Sequence, residues 1–290
     1  MVDFHYSDFW ADPGKQTAPL AWQDMRVAEK EEALYAFTCD SLTQLKNAGV
    51  DVGMVQIGNE TNAGLAGETR WEDMAKLFSA GAKAVREILP DALVAVHFTN
   101  PEKAGAYAYY AGQLAQYEVD YDVFASSYYP QWHGSLENLQ NVLKKINETY
   151  GKQVLVAETS HPYTAQDLDF HGNTVNADTV TPYPKTPEGQ GDWVRDVANA
   201  VLEIGGMGVF YWEGTWIGAG GSTYEENQAL WEAYGSGWAT SWAGAYDPQD
   251  AGRYFGGCAV ENQAFFDGKG TALKSLEVFS KIRQMLLQTR

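Results

Sequence analysis

The chain alternates short apolar runs with longer stretches in which apolar positions recur every three or four residues. DVGMVQIG at Asp51–Gly58, ALVAVHF at Ala92–Phe98, YDVFASS at Tyr121–Ser127 and KQVLVAE at Lys152–Glu158 read as strands. GMGVFYW at Gly206–Trp212 reads as a last strand, and Met1–His5 as the tail of another. Helices are predicted at Asp24–Asn47, Trp71–Leu89, Gly105–Tyr117, Leu136–Tyr150, Gln190–Ile204 and Leu273–Leu287. The first of these carries Val27, Leu34, Phe37, Leu42 and Leu45 at helical spacing and is closed by Gly49.

Strands that are apolar almost throughout and alternate with helices imply a parallel sheet covered on both faces. No Pro/Gly/Ser linker or low-complexity break interrupts the pattern, so a single catalytic domain over 1–290 is expected. A doubly wound open sheet would place a Gly-rich phosphate turn after its first strand, and none is present. The expected class is therefore α/β, of the TIM (β/α)8 barrel type. Six βα-type units are legible where a closed barrel has eight, so two units are missing from the pattern.

Ten Trp, seventeen Tyr and twelve Phe bring the aromatic share to 13%, an excess that fits stacking against the C–H faces of sugars as well as ordinary core packing. The net charge of −18 disfavours nucleic acid and anionic lipid surfaces, and leaves neutral polymers as the better substrate class. Cys39 and Cys258 are the only cysteines and lack any CxxC spacing, so neither zinc nor a disulfide framework is signalled. No apolar stretch reaches transmembrane length, and Met1 is not followed by the basic and apolar segments of a signal peptide.

In a parallel barrel the chemistry sits at the C-terminal ends of the strands. Glu60 and Glu158 both finish strand-like runs, three βα units apart, and a pair of carboxylates at one such face is what glycosidic cleavage uses. Either glutamate alone reads more simply as a satisfied strand-end acid. Asn59 can hold a sugar 2-hydroxyl or cap a helix, and Tyr128 can donate to the nucleophile. His5 and His97 can orient carboxylates or bind hydroxyls, and Trp212 can serve as a sugar platform or as core. In the loop after Glu158, Asp167, Asp169, His171 and Asn173 alternate, a spacing suited to a calcium ion, with a solvated polar loop as the competing account. No organic cofactor is signalled.

DFHYSDFWADPGKQ at Asp3–Gln16, QIGNE at Gln56–Glu60, VAETSHPYT at Val156–Thr164, FYWEGTWI at Phe210–Ile217 and GGCAVENQAFFDGKG at Gly256–Gly270 span nearly the whole chain. Together they resemble the arabinogalactan endo-β-1,4-galactanases of glycoside hydrolase family 53, within the clan of retaining β/α-barrel glycosidases. The resemblance implies Glu60 as acid/base and Glu158 as nucleophile in the endo-hydrolysis of galactan side chains of pectin, and a secreted protein. It also implies a structural calcium site at Asp167, Asp169, His171 and Asn173, where Cys258 and Glu261 stand at positions that carry Ser and Asp in the family. DFHYSDFW resembles the third strand's motif, which implies two absent units and a barrel edge that a partner would cover. The alternatives are the same chemistry on another neutral β-glycan, and a non-catalytic galactan-binding homologue.

Overall fold

The computed structural model describes residues 1–218, 223–234, 244–245 and 257–288. Set beside the single domain expected over 1–290, these residues group into two compact units. The first comprises 1–128, 137–157 and 204–207, and the second 129–136, 158–203 and 208–290.

The first unit holds a parallel sheet made of β1 (Val2–Phe4), β2 (Met54–Ile57), β3 (Leu93–Phe98), β4 (Val123–Ser127) and β5 (Gln153–Glu158), in the sequential order β1-β2-β3-β4-β5. Register pairs Asp3 with Gln56, Gln56 with Ala95, and His97 with Ala125. Four helices make the crossovers: α1 (Val27–Asn47), α2 (Trp71–Ile88), α3 (Ala106–Gln116) and α4 (Leu136–Tyr150). Strand order that never reverses, with a helix on every connection, is the pattern of consecutive units of a β/α barrel; a doubly wound sheet reverses at a switch point.

Local sequence explains these elements. α1 opens on a reciprocal cap in which Glu29 accepts from the Arg26 backbone N–H at 2.8 Å, and it ends where Gly49 adopts a φ of 76°. Its buried positions, Lys30, Leu34, Thr38 and Leu42, recur every four residues and form one stripe, and the helix packs against α2. The Lys30 ammonium is covered but paired, 2.6 Å from Glu68. α2 comes so close to the sheet that a Cβ at Gly81 would sit 2.7 Å from Ile57 Cγ2. β2 and β4 are buried at every position, as their continuous apolar runs require.

In the second unit, α5 (Pro187–Glu203) packs against α7 (Val278–Gln288) and the 3-10 turn Lys274–Glu277 that leads into it. The buried Gln190 side chain ties the unit's loops together by donating to the carbonyls of His161 and Gln263, at 2.9 and 3.0 Å. A further helix, α6 (Tyr224–Tyr234), lies where no element is expected from the sequence.

The strand expected at Gly206–Trp212 is not formed. Val209 forms a single bridge there, Met207 N–H donates to the Val154 carbonyl at 2.8 Å, and Trp212 N–H donates to the Thr159 carbonyl at 2.9 Å. Gly208, at φ 126°, breaks the extended ladder between these two bonds.

Candidate active site and cation site

Glu60 follows β2 through a tight turn. Gly58 takes φ 80° and Glu60 itself φ 47°, a left-handed conformation that an L-residue adopts only when its surroundings hold it there. The Glu60 side chain is almost fully covered, and Ser127 Oγ at the end of β4 lies 2.6 Å from Glu60 Oε1. Burial raises the Glu60 carboxyl above its ordinary range, and the Asp12 charge adds to this, while hydrogen bonds with Ser127 and Thr99 and the nearby His5 offset part of the rise.

Behind Glu60 stands a buried polar network within the first unit. His97 Nε2 is 2.9 Å from Ser127 Oγ, and His97 Nδ1 is 2.8 Å from Asn59 Oδ1 and 3.1 Å from Gln56 Nε2. Asn59 Nδ2 donates to the Ala11 carbonyl at 2.8 Å, and Gln56 Nε2 to Asp3 Oδ1 at 2.7 Å. His5 closes the array, with Nε2 3.2 Å from Asp3 Oδ2 and Nδ1 accepting from the Ala11 N–H at 2.9 Å.

Asn59 and Glu60 therefore occupy the strand-end positions that the sequence suggests. Of the two parts the sequence allows His97, orienting a carboxylate or binding a hydroxyl, the second is closed to it: it is 0% exposed and engages protein at both ring nitrogens. Burial holds it neutral, with its pKa lowered to about 3.

Glu158 is the last residue of β5, where the chain passes from the first unit to the second. Within the second unit the Tyr129 hydroxyl donates to Glu158 Oε2 at 2.7 Å. The sequence singles out Tyr128 for such a bond; Tyr128 is 1% exposed, and its neighbour Tyr129 donates one to Glu158. Trp212 lies edge-on to Tyr129, with ring centroids 6.2 Å apart, and the half-exposed Trp132 is 5.6 Å from Tyr129 on another side.

The second unit also gathers acids. One carboxylate oxygen from each of Asp167, Asp169 and Glu261 falls within 4.8 Å of the others. Glu261 is 0% exposed, and its Oε1 accepts from Asn173 Nδ2 at 2.8 Å and from the Leu168 N–H at 3.0 Å. Glu261 Oε2 and Asn173 Oδ1 are buried without a partner. These three carboxylates, one of them covered with an unpaired oxygen, could hold a cation, and an all-oxygen set is of the kind that suits calcium.

His171 and Cys258 approach this group through their backbones, donating N–H bonds to Asp169 Oδ1 at 2.6 Å and Oδ2 at 2.8 Å. Burial pushes the Cys258 thiol up to about 12, so it stays protonated and offers no thiolate. A Cβ at Gly257 would fall 2.7 Å from His171 Cβ, which explains the glycine in this close loop packing.

The sequential parallel sheet with a helix on each crossover, and polar residues gathered where its strands end, define the chain as a β/α-barrel protein. The sequence pattern of glycosyl hydrolase family 53 matches residues 1–279. The chain belongs to that family.

It is 56% identical over 283 residues to the endo-beta-1,4-galactanase of Bacillus subtilis, a match covering 96% of this chain and 66% of the relative. It is 35% identical over 247 residues to the arabinogalactan endo-beta-1,4-galactanase of Cellvibrio japonicus, covering 80% and 65% respectively. Among solved structures it superposes on the Ignisphaera aggregans GH53 catalytic domain with a TM-score of 0.81 at 33% identity, covering 97% of this chain and 72% of the other. The chain thus spans just under two thirds of the length of these two curated relatives.

Proposed function

We propose that this chain carries out endo-hydrolysis of β-1,4-galactosidic bonds in (arabino)galactan, including the galactan side chains of pectin, by double displacement with net retention. The observation that carries the reading is Glu60. It is a covered strand-end carboxyl held above its ordinary range by burial, in a family whose relatives are named as galactanases. A general acid must hold its proton at working pH until the leaving oxygen takes it, and desolvation favours that neutral form.

In this reading Glu60 protonates the departing glycosidic oxygen while Glu158 attacks the anomeric carbon. The Tyr129 O–H stabilises the Glu158 carboxylate before attack and is released from it as the covalent bond forms. Glu60, now ionised, then takes a proton from water, and the hydroxide displaces Glu158 with the original configuration restored. Asn59 has one amide hydrogen on the Ala11 carbonyl and directs the other to the sugar 2-hydroxyl; His5 and Trp212 line the sugar path.

Calcium at Asp167, Asp169 and Glu261, with Asn173 Oδ1 beside them, would fix the loop that follows Glu158. A bound ion there would supply charge neutralisation and loop rigidity. A polymeric substrate places the protein outside the cell. β1 stands at one end of the strand order, and its outer edge is where a partner or further strand would pair.

The test is reducing-end release from a panel of galactan, mannan, xylan and cellulose, with E60Q alongside. Oligosaccharides from galactan are expected, with E60Q losing turnover on the polymer but keeping the first step on an aryl galactoside whose leaving group needs no proton. Release from xylan or mannan but not galactan would move the substrate, and an E60Q variant fully active on galactan would remove the acid/base assignment.

A further inference from the structure

Glu60 sits on a turn that β2 cannot hold by itself. Past Ile57 the strand ends, and the chain takes φ 80° at Gly58 and φ 47° at Glu60. A residue with a side chain keeps the second value only when its surroundings impose it. The Asn59 and Glu60 carbonyls lie beyond the ladder, so they need donors from elsewhere. The side-chain amide of Gln16, from the loop after β1, is such a donor. Gln16 Nε2 lies 2.8 Å from the Asn59 carbonyl oxygen, 2.9 Å from that of Asp12 and 3.3 Å from that of Glu60. Three carbonyl oxygens around one atom fix which end of the amide faces them, since Oε1 in that place would meet acceptors alone. The two hydrogens serve the short contacts, and the longer one to Glu60 shares them.

Gln16 is itself held from behind. Its carbonyl accepts from the Gly67 N–H at 2.6 Å, and a Cβ at Gly64 would come within 3.2 Å of Gln16 Cβ and 2.9 Å of the Glu68 carbonyl oxygen. The Asp12–Lys15 turn before it is closed by two backbone bonds of 3.0 Å and by the Gly14 N–H on Asp12 Oδ1 at 2.7 Å. The facing loop is pinned by the Lys30 ammonium from α1, 3.2 Å from the Ala66 carbonyl oxygen and 2.6 Å from Glu68 Oε1. The amide thus has a fixed base, and the Asn59–Glu60 turn is held against it.

We propose that Gln16 is a positioning residue that aims Glu60, its amide holding the Asn59–Glu60 backbone in the left-handed turn from which the carboxyl meets the Ser127 hydroxyl. Bonds from β3 reach the other side of this turn: the Thr61 N–H donates to the His97 carbonyl at 2.9 Å, and the Glu60 N–H to His97 Nδ1 at 3.4 Å. They hold its N–H groups, and Gln16 holds its carbonyls. The same loop also takes the Asn59 side chain, whose Nδ2 donates to the Ala11 carbonyl at 2.8 Å, so one segment grips both strand-end residues. Aim matters because a proton donor displaced by about 1 Å loses on the order of 100-fold in rate.

This inference rests on the acid/base reading of Glu60, and its test separates the two. Q16M keeps the length of the side chain and removes its donors. In crystal structures of the parent and Q16M, the variant's Glu60 should leave the left-handed region or carry Oε1 beyond hydrogen-bond reach of Ser127 Oγ; an unchanged turn overturns the proposal. The second measurement is kcat/KM for aryl β-galactobiosides whose leaving phenols run from strongly to weakly acidic. A badly aimed acid matters most where the departing oxygen needs its proton, so Q16M should lose about tenfold more on the least acidic phenol than on dinitrophenol. An equal loss across the series marks a weakened fold alone and overturns the aiming role. Should Q16M not fold, the parent decides: the side-chain amide hydrogens of Gln16 should exchange with solvent about tenfold or more slower than those of the exposed Gln153, and equal exchange overturns the proposal. Should the parent leave galactan and the galactobiosides uncut while the Q16M turn is altered, the role of Gln16 in the turn stands and only the proposed function falls.

Discussion

Removing the ion proposed for the second unit should destabilise that unit measurably, because its protein groups are arranged around a charge they do not supply. Glu261 is fully buried with Oε2 unpaired, Asn173 Oδ1 is unpaired beside it, and Asp167 and Asp169 bring two more carboxylates within 4.8 Å. Without a cation, three like charges share one small volume. Ligand linkage stabilises a folded state by about 2.7 kcal/mol at an ion concentration one hundred times the dissociation constant. For a unit of this size each kcal/mol moves the midpoint by roughly 2–4 °C, so saturating calcium should raise Tm by about 5–10 °C over the chelated protein. Magnesium, which demands six short octahedral contacts and keeps its waters, should give less than half of that shift.

The assay is differential scanning calorimetry of the full chain in EDTA, in about 50 mM calcium (on the order of 100-fold above the dissociation constants of extracellular calcium modules) and in equal magnesium. E261Q and D169N are run beside the parent. E261Q removes the buried charge, so its chelated form should be no less stable than the parent's while its calcium response largely disappears. A parent Tm that ignores chelation, or an E261Q variant with the parent's full calcium response, would refute the reasoning.

Two further outcomes follow from the described geometry. Y129F removes the hydroxyl 2.7 Å from Glu158, a bond to a charged acceptor that favours the ionised nucleophile, so the acidic limb of the kcat/KM–pH profile should move up by about one unit with the fold intact; an unmoved limb would contradict the role given to Tyr129. Burial pushes the Glu213 carboxyl up to about 7, and Glu213 also holds φ 55°. A carboxyl raised on folding contributes stability below its unfolded value and loses it as pH rises through about 7. The parent should therefore lose on the order of a few °C in Tm between pH 6 and 8, a slope that E213Q should flatten; an equal slope in both would reject this source.

Periodicity carried most of the first unit. The strands at Met54–Ile57, Leu93–Phe98, Val123–Ser127 and Gln153–Glu158 lie inside the runs that the apolar pattern marks, because a strand buried on both faces leaves a continuous signal. The segment before Trp212 carries a similar run, but glycines at 205, 206 and 208 deny it a regular ladder, and Gly205 and Gly208 both take positive φ. α6 was invisible because YEENQALWEAY shows no clear apolar stripe; its start is marked by Thr223, whose hydroxyl accepts from the Glu226 N–H at 3.2 Å.

Within the site, Asn59, Glu60 and Glu158 were legible as polar residues ending strands. Asp3, Gln56 and Ser127 were not, because their meeting depends on register. Asp3 faces Gln56 only through the β1–β2 pairing, and Ser127 reaches both His97 and Glu60 only because β4 lies beside β3. Strand-end serines are common and carry no signal of their own. The acids of the cation loop were visible by their alternate spacing, whereas the buried, half-unpaired state of Glu261 is a property of the fold alone.

In the proposed mechanism Glu60 and Glu158 cleave galactan by two successive displacements at one carbon. The direct measurement is the 1H NMR spectrum of the anomeric region in the first minutes of galactan hydrolysis, before mutarotation mixes the products. The β-anomer of the new reducing end should appear first and the α-anomer grow in later. Initial appearance of the α-anomer would mean a single displacement by water, and Glu158 would not be the nucleophile.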